Sequence, residues 1–493
     1  MKHLTRITIT FLNLTTMEQE EPKELKGIKY PAKKHALKIK KHFISKKGQS
    51  SKDSAFFIAG ETLKLYAYCD ETYPLRQNRY FYYLSGVDQI PGCFILYTLA
   101  DDKLVLYLPE IDWDDVMWSG MPKSVKEAAE QYDVDEVRYE GEVYKKLTDL
   151  SNSGTTIYTT DTKNFSDKPF AKFVKAADKD FFYALDEARL IKDSYEIALM
   201  KYANKITANS HIAVMSAQPI ETNETHMHAE FVYHSIRQGS KVQSYDPICC
   251  SGPSCGTLHY VKNDESMKNK CSTLIDAGAD WRCYASDVTR CFPISGEWTK
   301  EHLEIYKTVL DMQSQVLDGI KPGIPWESLH NLAHKVMIKH FLDLGIFKNG
   351  TPEEIYESKV SVWFFPHGLG HLIGLDTHDV GGYPNYDDPD IRLRWLRLRR
   401  KLLPGMVVSD EPGVYFNKFL IENAYKDPEQ AKYINKEVLE KYMGVGGVRI
   451  EDDILVTKDG HENLTVVTSD PDEIAEIVQR GIAKGREGFH VIA

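Results

Sequence analysis

Residues 365–379, FPHGLGHLIGLDTHD, place three histidines and three glycines in an otherwise apolar run. His367 and His371 are spaced i, i+4, which on a helix would set both on one face. The glycines make a regular helix costly, so we predict a loop or strand whose backbone comes close to a small site. A histidine in an apolar run can also be a hydrogen-bonded core residue. The groups around these histidines must therefore decide between a functional site and ordinary packing.

Acidic residues lie in two predicted strands upstream of this run. Residues 272–278 (STLIDAG) and 282–290 (RCYASDVTR) have the apolar pattern of buried strands and carry Asp276 and Asp287. If the chain turns between residues 280 and 283, the strands pair antiparallel and Asp276 faces Asp287. Two facing carboxylates repel and raise each other's pKa unless a cation lies between them. This pattern indicates a metal site.

Further acidic residues lie in the apolar segments 407–415 (VVSDEPGVY) and 447–455 (GVRIEDDIL). Each could form a strand-end ion pair by itself. Combined with Asp276, Asp287 and a histidine, they supply oxygen and nitrogen ligands without a thiolate, a set suited to Mn²⁺, Co²⁺ or Mg²⁺. Two divalent ions would neutralise such a set of carboxylates, so we favour a dinuclear centre over a single metal.

Length and charge limit the classes of protein that this chain can be. A chain of 493 residues exceeds a single hydrophobic core, so two or three domains are expected. The net charge of -11 argues against nucleic acid as the main partner. No apolar run approaches the roughly 18 residues that a membrane span needs. Eight cysteines without a CxxC pair indicate the reduced thiols of a cytoplasmic protein.

Two segments near the N-terminus have a biased composition. Residues 1–16 are basic and lack acids, as in a weak mitochondrial presequence, but an unstructured leader or a start at Met17 is the favoured interpretation. Residues 23–47 contain ten lysines and one glutamate. We interpret them as a solvated helix with an extended lead-in rather than a nucleic-acid arm.

The pattern of apolar residues divides the chain into three parts. Residues 1–53 form the leader and basic lead-in. Residues 54–185 are predicted to form an α/β domain with a mixed sheet, because predicted strands at 56–59, 63–68, 94–99 and 104–108 precede a helical pattern at 125–132. A capping box at Asp193 and Glu196 begins the next predicted helix. Residues 186–493 are predicted to be an α+β domain with a curved sheet, with helices at 226–237, 300–317 and 326–344.

Four segments of the C-terminal half resemble, in order, the proline-specific metallopeptidases of the "pita-bread" fold, the family that includes prolidase and aminopeptidase P. These segments are residues 276–290, 367–379, 411–415 and 448–452. Residues 76–86 (RQNRYFYYLSG) resemble the non-catalytic N-terminal domain of that family. The resemblance implies a pita-bread catalytic domain, a small proline-containing peptide as substrate and a homodimer.

The resemblance also implies roles for individual residues. It gives five metal ligands, with Asp287 and Glu451 expected to bridge two ions, Mn²⁺ or Co²⁺: Asp276, Asp287, His371, Glu411 and Glu451. His259, His367 and His378 match substrate and transition-state contacts. Glu411 is expected to carry a proton from the attacking water to the proline nitrogen, while His367 and His378 stabilise the oxyanion. Tyr245 and Arg449 are candidate substrate-side groups, and Arg449 could instead be a local charge partner.

The preferred substrate length depends on Arg397. It matches the position where prolidases carry an arginine that binds the free carboxylate of a dipeptide, and a guanidinium offers bidentate geometry for it. We therefore predict an Xaa-Pro dipeptidase, with an Xaa-Pro aminopeptidase that acts on longer peptides as the alternative. The surrounding basic residues leave open a solvated basic face: Arg392, Arg394, Arg399, Arg400 and Lys401.

Two other classes of protein could share the fold. A non-catalytic binding protein is disfavoured because all five ligand positions are present. A creatinase-type hydrolase is disfavoured because the histidine and arginine pattern resembles the peptidases.

Two features depart from the family pattern. Asp410 precedes Glu411, where prolidases usually have an apolar residue; neighbours on a strand face opposite ways, so Asp410 should point away from the metals. Cys249, Cys250 and Cys255 lie close to His259. We predict that they are buried as small apolar residues rather than zinc ligands, since no second cysteine pair completes a site.

Overall fold

Apolar strands and helices alternate through the first part of the chain, and the computed structural model, which describes residues 22–489, joins the strands in one mixed sheet. The elements are α1 (Ala32–Lys47), β1 (Ser54–Ala59), α2 (Arg79–Ser85), β2 (Phe94–Thr98), β3 (Lys103–Leu108), α3 (Val116–Ser119), α4 (Val125–Gln131), β4 (Glu136–Tyr139), α5 (Val143–Asn152), β5 (Thr156–Thr159) and β6 (Val174–Ala176). The strand order is β4-β3-β2-β1-β5-β6, antiparallel from β1 to β3 and parallel elsewhere. The prediction of an α/β unit with a mixed sheet is confirmed. The predicted leader and the alternative start at Met17 lie outside the described residues.

The strand predicted at residues 63–68 is wrong. This segment forms only a single bridge between Leu65 and Thr72, and its apolar side chains are exposed. The Tyr66 and Tyr73 rings lie 3.8 Å apart, so the aromatic residues of this segment pack on each other rather than in the core. A strand-like apolar pattern therefore occurs here in a projecting loop.

The lysine-rich segment forms the helix α1, and its lysines are largely paired. Four of them contact carboxylates elsewhere in the chain: Lys33 with Asp135 at 2.8 Å, Lys34 with Asp193 at 3.2 Å, Lys40 with Asp102 at 2.6 Å, and Lys47 with Asp178 at 2.9 Å. The other face of α1 is apolar and buried. The basic run thus fixes α1 to the acidic surface of its own chain.

The second part of the chain carries most of the long helices and a set of small antiparallel sheets. Its elements are α6 (Lys179–Leu190), α7 (Ser194–Ser216), α8 (Glu224–Arg237), β7 (Ile248–Ser251), β8 (Ser272–Asp276), β9 (Asp280–Trp281), β10 (Tyr284–Ala285), β11 (Thr289–Pro293), α9 (Lys300–Gly319), α10 (Trp326–Asp343), α11 (Pro352–Glu357), β12 (Val407–Asp410), β13 (Gly413–Tyr415), α12 (Lys418–Lys426), α13 (Pro428–Ala431), α14 (Lys436–Leu439), β14 (Gly447–Arg449), β15 (Asp452–Val456), β16 (His461–Asn463) and α15 (Pro471–Lys484). The predicted capping box is present: Asp193 accepts from the backbone of Glu196, whose side chain reaches back to the N-cap. The three other predicted helices are also present, with ends shifted by at most two residues.

The hairpin that carries the first two aspartates has a different register from the predicted one. Arg282 and Cys283 form the turn with positive φ angles of 48° and 69°. Asp276 pairs with Thr289, not with Asp287, because the turn is centred one residue later than predicted, which moves the pairing partner by two residues. Strand side chains alternate with a period of two, so this shift leaves both aspartates on one face, as diagonal rather than direct neighbours.

One hydrophobic core extends across both parts of the chain. It contains residues of α1 and of the N-terminal sheet together with residues of α7, of the β9–β10 hairpin and of β12 and β15. The division predicted at residue 185 falls inside α6, whose apolar side chains belong to the same core. The two parts are therefore joined by packing and not only by a linker.

Length and hydropathy distinguish the described helices from membrane-spanning ones. None of those between residues 22 and 489 combines the length and the hydropathy that crossing a membrane requires.

The glycine-rich run of residues 365–379 gives a prediction about stability. It forms neither a helix nor a strand, and it is joined to β12 by a bridge between Leu372 and Val408. A Cβ on Gly370 would lie 2.0 Å from the backbone oxygen of Ser409. Ser409 cannot move away without disturbing the bridge between the run and β12. We expect Gly370→Ala to lower the free energy of unfolding by about 3 kcal/mol. Urea unfolding measures this change. Gly460→Ala is the control, since its Cβ would meet nothing within 4 Å, and an equal loss in both variants would contradict the prediction.

Glu221 gives a prediction about pH. Burial, with the charge of Glu230 as a smaller cause, raises the pKa of Glu221 from its ordinary 4.5 to about 8. The folded state then holds a proton that the unfolded state releases, so stability falls as the pH rises from 4.5 to about 8. We expect Glu221→Gln to stabilise the protein by about 2 kcal/mol near pH 9 and by little near pH 5. Unfolding curves at both pH values test this expectation, with the exposed Glu130→Gln as the control. A gain that does not depend on pH would contradict it.

Candidate metal centre

A cleft of about 550 Å³ opens on the acidic residues of the C-terminal half. Its wall is formed by Arg76, Ser244, Tyr245, Asp246, Ile248, His259, Val261, Asp276, Asp287, His371, Asp376, Thr377, His378, Glu411 and Glu451. The structure thus brings the five predicted metal ligands, two of the predicted histidines and Tyr245 to one surface.

The first two aspartates share a tyrosine. Asp276 ends β8, and Asp287 precedes β11 on the same face of the hairpin. The Tyr245 hydroxyl lies 2.5 Å from Asp276 Oδ1 and also contacts Asp287 Oδ1. The Asp287 backbone N–H donates to Asp453 Oδ2 at 3.1 Å, which fixes the start of this segment. Tyr245 therefore holds two acidic side chains side by side.

His371 is oriented by its own loop. Its backbone N–H donates to Ser409 Oγ at 3.0 Å, and its carbonyl accepts from the Ser409 N–H at 2.8 Å. Its ring Nδ1 lies 3.0 Å from the Leu372 carbonyl, which can only accept, so Nδ1 carries the proton. The Nε2 lone pair then faces the acidic cluster, 3.4 Å from both Asp287 Oδ2 and Glu411 Oε1. A backbone partner on one nitrogen is the usual way to orient a metal-binding histidine.

Arg449 and Thr289 connect the remaining carboxylates. Thr289 Oγ1 donates to Glu451 Oε2 at 2.6 Å and accepts from Arg449 Nε at 3.0 Å. A terminal nitrogen of Arg449 lies 2.5 Å from Asp276 Oδ2, and its Nε lies 3.9 Å from Glu451 Oε2. Arg449 does not line the cleft. Its position matches the role of local charge partner that the sequence left open.

The carboxylates are too close to one another, and too buried, to be ionised together without a counterion. Burial, together with the neighbouring acids, raises the pKa values of Asp287 and Glu451 well above the usual range. The same causes raise the pKa of Glu411 to about 7, although His371 and Arg449 oppose the rise. A divalent cation among these groups would reverse the effect, because it stabilises the ionised forms.

The geometry of the donor atoms fits a metal ion. One ligand atom from each of Asp287, His371 and Glu451 can be chosen so that all three lie within 4.8 Å of one another. Asp276 and Glu411 border the same space. Oxygen donors with one imidazole suit a hard divalent ion such as Mn²⁺ or Mg²⁺.

A second group of possible ligands, His35, Asp193 and Glu196, has other partners. The two carboxylates accept backbone hydrogen bonds in the capping box, and Asp193 also pairs with Lys34. The Tyr284 hydroxyl donates to Glu196 at 2.8 Å. These groups fix α7 to α1 and leave little capacity for an ion.

The three predicted histidines differ in their surroundings. His259 and His378 line the cleft. Burial lowers the pKa of His378 to about 2, so its ring is neutral. His367 does not belong to the cleft wall: its Nε2 lies 2.8 Å from the Tyr415 hydroxyl, and its Nδ1 lies 2.8 Å from the Gly368 carbonyl. Both of its ring nitrogens therefore have partners within the chain, and its Nδ1 lies 3.8 Å from Glu411 Oε2.

Arg397 lies outside the cleft wall as well. Its neighbours in the basic run are tied to acids: Arg392 with Asp390 at 2.7 Å, Arg399 with Asp388 at 2.9 Å, and Arg400 with Glu187 at 2.7 Å. Arg397 itself contacts the Tyr386 hydroxyl at 3.4 Å and has no ion pair within the described part of the chain. The run is therefore largely a set of intramolecular ion pairs.

Asp410 and the cysteines agree with the expectations. Asp410 is fully buried away from the cleft wall, and burial raises its pKa well above the usual range. Cys249, Cys250 and Cys255 are buried free thiols.

Several residues of the site were not found from the sequence. Thr289 and Tyr415 lie in segments that were considered, but only their contacts with Arg449 reveal their function in the site. Arg76 lines the cleft although it belongs to the N-terminal half. Arg76 is the first residue of the motif at residues 76–86, and this motif is the feature of the sequence that could have indicated it as a site residue.

Comparison with known proteins agrees with this arrangement. Residues 198–458 match the family model described as metallopeptidase family M24, and residues 35–158 match the one described as the N-terminal domain of aminopeptidase P. An uncharacterized peptidase of Saccharomyces cerevisiae is 56% identical over 96% of this chain and 88% of its own length. A probable Xaa-Pro aminopeptidase of Sordaria macrospora is 44% identical over 94% of this chain and 99% of its own.

Solved structures of aminopeptidase P also resemble this chain over most of its length. Aminopeptidase P from E. coli, in a complex with the inhibitor Pro-Leu, superposes with a TM-score of 0.76 at 29% identity, covering 92% of this chain and 99% of that one. A zinc-substituted form of the E. coli enzyme in complex with product gives a TM-score of 0.75. The expected combination of an α/β N-terminal domain and a pita-bread catalytic domain is confirmed. The chain belongs to metallopeptidase family M24 and is a metal-dependent peptidase that carries the N-terminal domain of the aminopeptidase P type.

Proposed function

We propose that this protein is an Xaa-Pro aminopeptidase, which removes the N-terminal residue that precedes a proline. The observation that carries the proposal is the cluster of four carboxylates and one imidazole at the base of a cleft of about 550 Å³, a volume suited to a short peptide. The relatives named Xaa-Pro aminopeptidase, and the likeness to aminopeptidase P, support this alternative better than the dipeptidase that the sequence favoured.

The residues that would hold the metal are Asp276, Asp287, His371, Glu411 and Glu451. We propose two Mn²⁺ ions, with Co²⁺ as a possible substitute, because two divalent charges balance four carboxylates. Ions in such a site supply Lewis acidity, which polarises a carbonyl and makes water nucleophilic near neutral pH. The support is the crowding of ionisable groups that lack a sufficient counter-charge.

The chain's own residues would handle the protons of the reaction. The nitrogen of an Xaa-Pro bond carries no hydrogen and must acquire a proton as it leaves. Glu411 borders the cleft, and Ser409 Oγ donates to its Oε1 at 3.2 Å, which leaves Oε2 to take a proton from water and return it to the proline nitrogen. His378 would donate a hydrogen bond to the developing oxyanion, and His259 would contact the substrate.

His367, which lies outside the cleft wall, would act through its hydrogen-bond partners. It is hydrogen bonded to the Tyr415 hydroxyl, which accepts from Arg449 at 2.9 Å, and Arg449 in turn holds Asp276. We therefore propose a positioning function for His367 and Arg449, with Tyr245 positioning Asp276 and Asp287 from the other side. The oxyanion contact expected of His367 would need its ring to leave both partners.

Further properties of the protein are proposed on narrower grounds. A cytoplasmic location rests on the eight cysteines, all of which are free thiols. A homodimer rests on the family resemblance alone. The dipeptidase hypothesis rests on Arg397, whose charge contributes to lowering the pKa of His378 and so lies within electrostatic reach of the site.

Peptide length separates the candidate functions. We expect the Mn²⁺-loaded protein to cleave Gly-Pro-Ala at the Gly-Pro bond and to leave the control Gly-Ala-Ala intact, since the latter lacks proline. Chromatography that quantifies the released glycine measures both reactions. Cleavage of Gly-Pro without cleavage of Gly-Pro-Ala would establish the dipeptidase instead, and cleavage of neither would indicate a binding protein.

Two histidine variants separate metal binding from substrate contact. We expect His371→Ala to weaken metal binding by more than the roughly 10- to 100-fold that loss of a partner behind a ligand costs, because Nε2 is the only imidazole donor among the predicted ligands. His378→Ala should keep the metal and lower kcat by about 100-fold. Metal content by mass spectrometry after dialysis, together with kcat on Gly-Pro-Ala, distinguishes these effects. Equal loss of metal in both variants would show that the division of roles is wrong.

A further inference from the structure

Arg76 is the residue through which the N-terminal half reaches the cleft. It precedes α2 by three residues, and it lines the same wall as Asp376, Thr377 and His378. The predicted ligands in this wall are carboxylates and one histidine. Arg76 therefore brings a positive charge from another part of the fold to an otherwise acidic cleft.

The segment that carries Arg76 is held firmly in place. Gln77 is buried; its Oε1 accepts from the Glu61 N–H at 2.7 Å, and its Nε2 donates to the Ile90 carbonyl at 3.3 Å. Asn78 caps α2 by accepting from two backbone N–H groups. Arg79 lies 2.8 Å from Asp280 Oδ2 in the catalytic half. Arg76 is thus presented by a fixed backbone rather than by a free loop.

No acid of the described residues 22–489 forms an ion pair with Arg76. Asp280, the nearby acid of the catalytic half, is already paired with Arg79 at 2.8 Å. Asp376 is paired with Arg189 at 2.6 Å. The Arg76 side chain is exposed and has no ion pair or hydrogen bond among residues 22–489. A guanidinium that is exposed in a cleft and lacks a partner is suited to bind an anionic group of a ligand.

We infer that Arg76 is a specificity residue that binds a carboxylate of the peptide substrate. The inference rests on the proposed peptidase function and identifies the substrate feature that the site prefers. Every peptide with a free C-terminus presents a carboxylate, and an acidic side chain is the other possible source. Arg397, which the sequence suggested for this task, lies outside the cleft wall, whereas Arg76 lies in it.

Peptide acids and amides test the inference directly. For the wild type, we expect kcat/KM to be about tenfold higher for Ala-Pro-Ala than for Ala-Pro-Ala-amide, because a charge-assisted hydrogen bond of this kind is worth about that factor. Arg76→Gln should abolish the preference, mainly by raising KM for the acid, and should leave the amide unchanged. Arg76→Lys should restore part of it.

The control is Arg394→Gln, which removes an arginine that does not line the cleft and should keep the wild-type preference. A second pair, Glu-Pro-Ala-amide and Gln-Pro-Ala-amide, identifies the source of the carboxylate. A preference for the glutamate peptide that is lost in Arg76→Gln assigns the contact to an acidic side chain rather than the C-terminus, and either source supports the inference.

Two outcomes would overturn the inference. Arg76→Gln could lower kcat/KM for acids and amides alike, which would indicate a structural role, or it could leave every preference in place. Thermal unfolding of each variant shows whether the fold is intact. If the wild type cleaves none of these peptides, the proposed function itself is wrong, which is a different result from a change of preference in a working enzyme.

Discussion

The mutual repulsion of buried carboxylates is the constraint on which the site depends. Asp287, Glu411 and Glu451 are buried against one another, and the low polarity around them makes each negative charge costly to its neighbours. Arg449 lies between Asp276 and Glu451, and the Tyr245 hydroxyl contacts both aspartates. Gly370 allows the loop that carries His371 to pass close to β12. These groups set the shape of the cluster, and a divalent metal ion bound there would complete its charge balance.

Much of this arrangement could be predicted because it depends on local patterns. The glycines of residues 365–379 exclude a helix, and the strand pattern places both aspartates on one face. The pairing of Asp276 was predicted two residues out of register because the positive φ angles at Arg282 and Cys283 are not evident from those residue types. The predicted fold and the predicted set of metal ligands are unaffected, since moving the pairing partner by two residues keeps each side chain on the same face of its strand.

The rest of the site depends on contacts between distant parts of the chain, which a local pattern cannot show. Arg397 was predicted from its match to a prolidase position, but it lies outside the cleft wall, and the acid that pairs with its neighbour Arg400 is the distant Glu187. Arg76 is the first residue of the segment that resembles the family's non-catalytic domain, and only the fold brings it to the cleft. The family resemblance grouped His367 with His378, yet only His378 lines the cleft, while both ring nitrogens of His367 have partners within the chain.

The hydrophobic core that crosses both halves has a consequence for how the chain folds. Side chains of α7 and of the β9–β10 hairpin pack with the N-terminal sheet, so each half needs the other to bury this shared core, although each also has a core of its own. The region that presents His378 is also fastened to α6 and to the start of α7, through Arg189 and Lys192 on Asp379. The shared core therefore couples the unfolding of the two halves, although the acidic cluster is built from residues of the second half alone. Removing the first half would expose apolar surface on the half that carries the hydrolytic site.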